Sequence, residues 1–167
     1  MKRTFLLSLF VSYCLSSCIF PMEGDDDFNP QPQNYEAQIM SRDIFESSVQ
    51  LLPPQGMEKS GKIYIQDDLM VVNDINRGFH FYDYSNPAQP VEIAFLNIPG
   101  ATDIAIRNST IYINQAVDLV TLEYNQVTNT IAFKDRDRNV FPQKISPDAS
   151  QANPTANQII INWIPIN

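Results

Sequence analysis

The feature that most constrains the fold of this chain is an internal repeat. Residues 63–73 (IYIQDDLMVVN) align without a gap to residues 104–114 (IAIRNSTIYIN), at a constant offset of 41 positions. After a deletion of one residue, residues 79–84 (FHFYDY) align to residues 119–124 (LVTLEY). A repeat of this length is one supersecondary unit that buries its apolar face by stacking on a neighbour. The sequence therefore predicts two copies of one structural unit.

Each copy consists of short runs rich in β-branched and aromatic residues, separated by turn residues, which is typical of strands. The predicted strands are 62–66, 69–73, 78–84 and 91–96 in the first copy and 103–107, 110–114, 118–124 and 130–134 in the second. The turn pairs Asp67-Asp68 and Asn108-Ser109 suit two-residue hairpins, because Asp and Asn tolerate left-handed backbone angles. Each copy is therefore predicted to form a four-stranded antiparallel meander.

The strands of the first copy indicate how the units pack. Residues 69–73 and 78–84 are apolar on both faces, so each face of their sheet needs a cover. Four strands with a period near 41 are typical of a β-propeller blade, since blades stack face to face. A short helix over 42–48, with Ser41 as its N-cap, and a strand over 158–167 are also predicted.

The predicted fold is all-β. It contains two stacked four-stranded antiparallel blade-like units, a partial β-propeller, with a short N-terminal helix and a C-terminal edge strand. We expect the strand over 158–167 to return and pair with a blade edge, because open edges and apolar faces favour association.

The first residues carry a second, independent signal. Positive charges at residues 2–3 precede an apolar run over 5–11 that is too short to span a bilayer, which is typical of a signal peptide. Residues 15–18 (LSSC) match the bacterial lipobox, in which the chain is cleaved before a cysteine that carries lipid. Lipidation of Cys18 predicts a protein held on a membrane by acyl chains. The alternative is an ordinary secretory signal that is cleaved elsewhere, with Cys18 incidental.

The segment after Cys18 is acidic and rich in Pro, Asn and Gln. Asp25, Asp26 and Asp27 precede residues 29–34 (NPQPQN), a composition that buries too little apolar surface to fold. We therefore expect a tether. In some Gram-negative groups, acidic residues shortly after the lipidated cysteine resemble a signal for export to the cell surface, so the three aspartates are candidate export residues. The alternative is a solvated linker that happens to be acidic.

Net charge and cysteine content exclude one class of partner and several kinds of site. The chain has 11 basic and 19 acidic residues, a net charge of −8, and removing residues 1–17 takes away two basic and no acidic residues, which leaves −10. Such a surface repels phosphate backbones, so no nucleic acid partner is expected. Cys14 leaves with the signal peptide, and Cys18 alone forms no disulfide, cysteine zinc site or cysteine nucleophile.

The remaining candidates for chemistry give no site. His80, the one histidine, lies in an apolar strand and is expected to be packed or hydrogen-bonded. Residues 135–139 (DRDRN) alternate oxygen ligands but lack the glycine and closing glutamate of an EF-hand, so a solvent loop whose charges neutralise each other is expected. The aromatic residues lie mostly inside strands, which favours the core over a sugar-binding platform. No catalytic, cofactor-binding or metal-binding residue is predicted, and the protein is not expected to be an enzyme.

Three motifs together carry a family resemblance: residues 78–87 (GFHFYDYSNP), 98–100 (IPG) and 118–122 (DLVTL). They resemble bacterial propeller-type lipoproteins with the repeat named for its Leu-Val-Ile-Val-Asp consensus, the LVIVD repeat. The resemblance covers roughly residues 38–142. It implies an envelope or surface protein and no catalytic residues. Longer members continue into further blades, whereas two blades do not close a ring, which needs at least four.

The predicted organisation is a lipoprotein signal peptide (1–17), a lipidated tether (18–37), a blade-repeat β domain (38–145), a loop (146–157) and a terminal strand (158–167). These features favour a lipid-anchored binding or scaffold module of the bacterial outer membrane, facing the periplasm or the cell exterior. Its expected partners are the membrane, through the lipid, and a protein or glycan ligand. Two alternatives stay open: a shortened paralogue that forms a homo-oligomer or joins a longer relative, and an envelope carbohydrate-active enzyme.

Overall fold

The computed structural model describes residues 33–166. In chain order, the elements of this part are β1 (Tyr35–Ser41), α1 (Arg42–Ser47), β2 (Gln50–Leu52), β3 (Ser60–Gln66), β4 (Leu69–Asp74), β5 (Gly78–Asp83), β6 (Val91–Asn97), β7 (Ala101–Arg107), β8 (Thr110–Gln115), β9 (Asp118–Asn125), β10 (Thr130–Asp137) and β11 (Gln158–Pro165). The predicted signal peptide over 1–17 lies outside the described residues. Among residues 33–166, no helix is long and apolar enough to cross a bilayer.

The described strands pair into three antiparallel sheets. Sheet 1 has the order β2-β6-β5-β4-β3, sheet 2 the order β10-β9-β8-β7, and sheet 3 pairs β1 with β11. The first repeat copy lies in sheet 1 and the second in sheet 2, and each predicted repeat strand is confirmed to within a few residues. The chain is therefore mostly β, and its two repeat copies form separate meanders.

Both tight hairpins have the backbone that their turn residues predict. Asp67, between β3 and β4, has φ 51°, and Asn108, between β7 and β8, has φ 55°. The left-handed region costs most residues about 1 to 2 kcal/mol, and Asp and Asn adopt it more readily than most. The two turns therefore fix the register of the first hairpin in each sheet.

Sheet 1 has an inner face and an outer face, because successive residues of a strand point to opposite sides. The inner face contains the cross-strand row Tyr64, Val71, Phe81 and Ala94. The neighbouring row on the outer face is Ile63, Val72, His80 and Phe95. The inner face packs into the main core, which it shares with sheet 2.

Sheet 2 meets that core with its own inner face, which contains the row Ile104, Ile113 and Val120. Across the core, the ring of Phe81 meets the ring of Tyr124 edge-on, with the centroids 4.8 Å apart. Full burial of one such apolar side chain stabilises the fold by about 1.5 to 3 kcal/mol. The two repeat copies therefore pack face to face around one core.

The pairing of the terminal strand differs from the prediction. β11 pairs with β1 in a separate two-stranded sheet, and no edge strand of sheet 1 or sheet 2 takes part. One edge of sheet 1 is occupied by β2, a strand that the sequence analysis did not predict. Burial of Ile159 in a second apolar cluster with Phe45 holds β11 at this position.

Two further boundaries change at the N-terminal side. β1 begins at Tyr35, so the predicted tether over 18–37 and the predicted β domain from 38 overlap with an ordered strand. Helix α1 has six residues, and the Ser41 side chain at its N-cap makes no capping hydrogen bond. Phe45 is the buried residue of this helix, whereas Ile44 is 59% exposed.

Candidate functional site

A groove opens between sheets 1 and 2, at the end where their tight hairpins lie. Its volume is about 610 Å³. Its apolar floor is formed by Leu69, Ile106, Ile111 and Ile131, and its rim includes Gln66, Asp67, Asn108, Ser109, Glu123 and Gln126. Ligand pockets in proteins typically enclose about 300 to 1,000 Å³, with an apolar lining and a few polar groups that orient the ligand. The volume of this groove lies within that range, and its lining is more polar than that of a typical small-molecule pocket.

Hydrogen bonds between sheets 1 and 2 fix the positions of the two walls of the groove. The Gln66 side-chain amide donates to the Asn108 carbonyl at 3.3 Å, and the Gln126 amide donates to the Asp68 carbonyl at 3.3 Å. The Asn129 amide donates to the Ile93 carbonyl at 3.0 Å. Because each bond joins one sheet to the other, the groove is formed before any ligand arrives.

The charge of the rim restricts what the groove accepts. Its lining includes the carboxylates of Asp67 and Glu123 and contains no lysine or arginine from the described part of the chain. Lys134 forms an ion pair with Glu123 from outside the lining. Amide, hydroxyl and carboxylate groups over an apolar floor suit neutral, hydrogen-bonding ligands and disfavour anionic ones.

A buried charge cluster surrounds His80 on the outer face of sheet 1. Its Nδ1 lies 2.7 Å from Glu92 Oε1, and its Nε2 lies 3.4 Å from Asp74 Oδ2. Arg77 Nη1 donates to Asp74 Oδ2 at 2.5 Å, and the Arg77 guanidinium lies over the Phe95 ring. His80 is fully buried and hydrogen-bonded, as a lone histidine in an apolar strand was expected to be.

The same cluster fastens the loop over residues 53–59. The backbone N–H groups of Glu58 and Lys59 donate to the Asp74 carboxylate at 3.1 and 2.8 Å. Burial alone would raise the pKa of Asp74, but hydrogen bonds from these N–H groups, His80 and Arg77 outweigh it and hold the pKa below its ordinary value. Asp74 therefore stays charged and anchors the loop, and its oxygens are used inside the fold.

A second buried carboxylate, Asp118, lies at the start of β9 in sheet 2. It accepts hydrogen bonds from Arg42 Nη1 at 2.6 Å, Arg136 Nη1 at 2.9 Å and the Asn139 N–H at 3.0 Å. Burial would raise the pKa of Asp118, but these donors outweigh burial and hold the pKa below its ordinary value. The cluster thereby joins helix α1 to the end of sheet 2.

The arginines of residues 135–139 differ from the prediction of a loop that neutralises its own charge. Arg136 pairs with Asp118, and Arg138 Nη2 pairs with Glu46 at 2.8 Å. Asp135 and Asp137 lie within strand β10. The pairing partners lie far away in sequence, which is why a local pattern did not indicate them. In the part of the chain that the structure covers, no three His, Cys, Asp or Glu side chains converge as metal ligands.

The predicted site residues of the N-terminal region lie outside the described residues. These are the lipidation candidate Cys18 and the export candidates Asp25, Asp26 and Asp27. The groove and the Asp118 cluster were not predicted as sites. Part of the groove was visible in the sequence, because the two hairpin turn pairs occupy equivalent positions of the repeat.

Comparisons with known proteins assign no family and no activity to the chain. No protein-family model, curated protein or solved structure matches it. The functional argument therefore depends on the residues and geometry described above.

Proposed function

We propose that this protein is a lipid-anchored binding or scaffold module of the bacterial outer membrane, and that its two sheets are blade-like units of a partial β-propeller. The groove between the sheets is the observation that supports a binding role. It combines an apolar floor with a polar rim, and inter-sheet hydrogen bonds form it in advance. A preformed groove loses little conformational entropy when a ligand binds.

The propeller-like stacking is supported by the way the repeat alignment maps onto the faces. The inner-face residues Ile104 and Ile113 of sheet 2 align with the outer-face residues Ile63 and Val72 of sheet 1. The sheets therefore stack head to tail: the inner face of sheet 1 packs on the face of sheet 2 that aligns with the outer face of sheet 1. Head-to-tail stacking of successive sheets is the arrangement of propeller blades.

The ligand class follows from the groove lining. A neutral glycan or an uncharged peptide segment offers hydroxyl or amide groups to the rim and apolar surface to the floor. The carboxylates of Asp74 and Asp118 are both fully buried and paired with arginines. Because these carboxylates are used for packing, the arrangement favours binding over catalysis.

Blocking the groove tests the binding role. Ser109→Trp places a large ring at the rim, and Asn153→Trp makes the same change at an exposed position of the loop before β11. Envelopes from cells with each full-length variant are treated with formaldehyde, and the cross-linked components are identified and quantified. We expect Ser109→Trp to remove the component that the unchanged protein and Asn153→Trp both capture. Equal capture by all three proteins would contradict a binding role for the groove.

Radiolabelled palmitate tests the anchor. We expect label in the unchanged protein and none in Cys18→Ser, because the thiol carries the acyl chains. Label in both proteins, or in neither, would reject Cys18 as the lipid site. Protease treatment of intact cells then tests export: the unchanged protein should be degraded, and a variant with Asp25, Asp26 and Asp27 changed to Asn should be protected.

A further inference from the structure

The outer face of sheet 1 carries exposed apolar residues beside the His80 charge cluster and is only partly covered. Ile63 and Ile65 on the edge strand β3 are 61% and 56% exposed. At the other end of the face, the loop over 53–59 is fastened by Asp74 and lies near the buried residues His80 and Phe95. Exposed apolar surface on a sheet edge favours association with another sheet.

The repeat identifies what this face resembles. Ile63 and Ile65 align with Ile104 and Ile106 of sheet 2 at the offset of 41. In sheet 2 these positions belong to the inner face, where Ile104 is 5% exposed and both isoleucines pack into the core against sheet 1. The outer face of sheet 1 therefore has the residues of a face that receives another sheet.

The complementary face lies on sheet 2 of the same chain. Its outer face contains the cross-strand row Ala105, Tyr112 and Thr121, and Tyr112 is 39% exposed. By the repeat alignment this row corresponds to Tyr64, Val71 and Phe81, which form the inner face of sheet 1. The chain thus carries one open face of each kind.

We propose that a second copy of this chain covers the outer face of sheet 1, by packing the outer face of its own sheet 2 there. This inference rests on the head-to-tail stacking proposed above. The same contact occurs twice in a pair of copies related by a two-fold axis. The pair contains four stacked sheets, which is the smallest number typical of a closed propeller ring, and a head-to-tail contact that closes forms a finite assembly.

Charge complementarity supports this partner. Inside one copy, Lys62 Nζ of sheet 1 binds Asp103 Oδ2 of sheet 2 at 2.8 Å. These two residues occupy equivalent positions of the repeat, so the contact between copies places Asp103 of one copy against Lys62 of the other. In the contact between copies the lysine and the aspartate exchange positions, and they still have opposite charges.

A second pair of positions behaves in the same way. The internal hydrogen bond from the Gln66 side chain to the Asn108 backbone carbonyl corresponds, between copies, to an approach of the Arg107 side chain of one copy to the backbone of Asp67 of the other. Arginine and aspartate are again opposite in charge. Both contacts lie on the edge strands β3 and β7 or on the turn that follows β3, so the attraction extends along one side of the stack.

The first test measures mass. The protein is purified from envelopes in mild detergent, as the cell processes it, and its mass is measured by native mass spectrometry. We expect twice the monomer mass. The double variant Ile63→Lys with Ile65→Lys should be a monomer with an unchanged circular dichroism spectrum, because both side chains are exposed in one copy. The association constant should fall by more than about tenfold, since burial of one isoleucine corresponds to about that factor or more.

Ile145→Lys is the matched control, because Ile145 is 85% exposed on the loop between β10 and β11 and belongs to neither sheet. It should leave the mass at two copies. A monomer for the unchanged protein would overturn the proposal, and so would masses above two copies, because they indicate that the contact does not close.

The second test uses charge reversal. Arg107→Asp and Asp67→Arg each place like charges at both contacts of the pair, so each variant alone should be monomeric. Mixing the two restores opposite charges at both contacts, and we expect a dimer with one copy of each variant. A mixture that remains monomeric, although both variants are folded, would overturn the proposal.

Phe81→Ala distinguishes a failure of the sheet stacking from a failure of the contact between copies. If Phe81→Ala does not destabilise a single copy, the stacking of sheets 1 and 2 is wrong. If that variant is destabilised and the charge-reversed mixture remains monomeric, only the second copy is wrong.

Discussion

Sheets 1 and 2 share one repeat pattern, yet sheet 1 buries residues on both of its faces and sheet 2 mainly on one. Strand β5 of sheet 1 buries four consecutive residues, Gly78 to Phe81. The equivalent strand β9 alternates between buried and half-buried residues along Asp118 to Tyr124. The difference follows from the covers: sheet 1 has sheet 2 on one side and the loop over 53–59 on part of the other. A sheet whose residues are apolar on both faces therefore indicates that other parts of the protein pack on both of those faces.

The two buried aspartates extend the comparison to charge. Asp74 ends β4 of sheet 1, and Asp118 begins β9 of sheet 2. The Arg77 side chain beside Asp74 is 33% exposed, whereas the side chains of Arg42 and Arg136 beside Asp118 are 14% and 7% exposed. The cluster in sheet 2 therefore buries more positive charge. Its stability depends more strongly on the one carboxylate that neutralises this charge.

The largest effect on stability should come from a pair of aligned repeat positions, of which only the one in sheet 1 faces the core. Phe81→Ala in sheet 1 removes a fully buried ring that meets Tyr124, and should lower the free energy of unfolding by about 3 to 5 kcal/mol. Thr121→Ala at the aligned position of sheet 2 lies on the outer face and should change it by less than about 0.5 kcal/mol. Urea denaturation measures both. Similar losses would show that the two faces are not different.

The next effect separates the two charge clusters. Asp118→Ala leaves two nearly buried arginines without their carboxylate and should cost about 3 kcal/mol. Asp74→Ala should cost about 2 kcal/mol, because Arg77 can turn toward water and the remaining loss is mainly of hydrogen bonds to a charged group. Both are measured by urea denaturation at neutral pH. A greater loss for Asp74→Ala would reverse the proposed order.

Acid should weaken both sheets through these carboxylates. The folded state holds the pKa of Asp74 and of Asp118 below the ordinary value of 3.8, so the stability that each provides is present above that value. It is lost as the pH falls through the lower folded value, because the unfolded chain then binds more protons. We expect the free energy of unfolding to fall below about pH 4. Asp118→Asn and Asp74→Asn should each flatten this decline, and a decline with an unchanged slope in both would contradict it.

The smallest effect should be equal in the two sheets. Asp67→Ala and Asn108→Ala each place alanine in the left-handed backbone of a tight hairpin and should each cost about 1 kcal/mol. Ser109→Ala, at the position after Asn108, is the control and should have little effect. Thermal unfolding measures all three. A loss in one hairpin alone would show that the repeat equivalence does not extend to the turns.

The strands and turns of both sheets could be predicted because their causes are local. Short runs of β-branched and aromatic residues between turn residues placed the repeat strands, and Asp67 and Asn108 indicated the two hairpins. Stacking could also be inferred, since residues that are apolar on both faces need covers. These features depend on residues that lie close together in sequence or recur at a fixed offset.

The parts of the fold and of the groove that were missed depend on contacts between residues that no sequence pattern relates. Arg42 and Asp118 are 76 positions apart, and their ion pair was missed although both residues were visible in the sequence. β11 was predicted as a strand, but no strand was predicted for its partner β1, whose residues 35–37 were assigned to the tether because the composition before Tyr35 is polar. The groove was missed for the same reason, since it exists only where hairpins of two sheets meet.

The pairing of β1 with β11 brings Asn34 and Ile166 together: the Ile166 N–H donates to the Asn34 carbonyl at 2.8 Å. A few added residues would therefore join these two positions without moving the domain, and the ring of polypeptide so formed could be opened elsewhere. The bond between Val127 and Thr128 is a suitable place for new ends, because both residues are exposed and neither makes a hydrogen bond between the sheets. Such a circular permutant would attach any fused protein or surface linker beside the groove, which Gln126 lines.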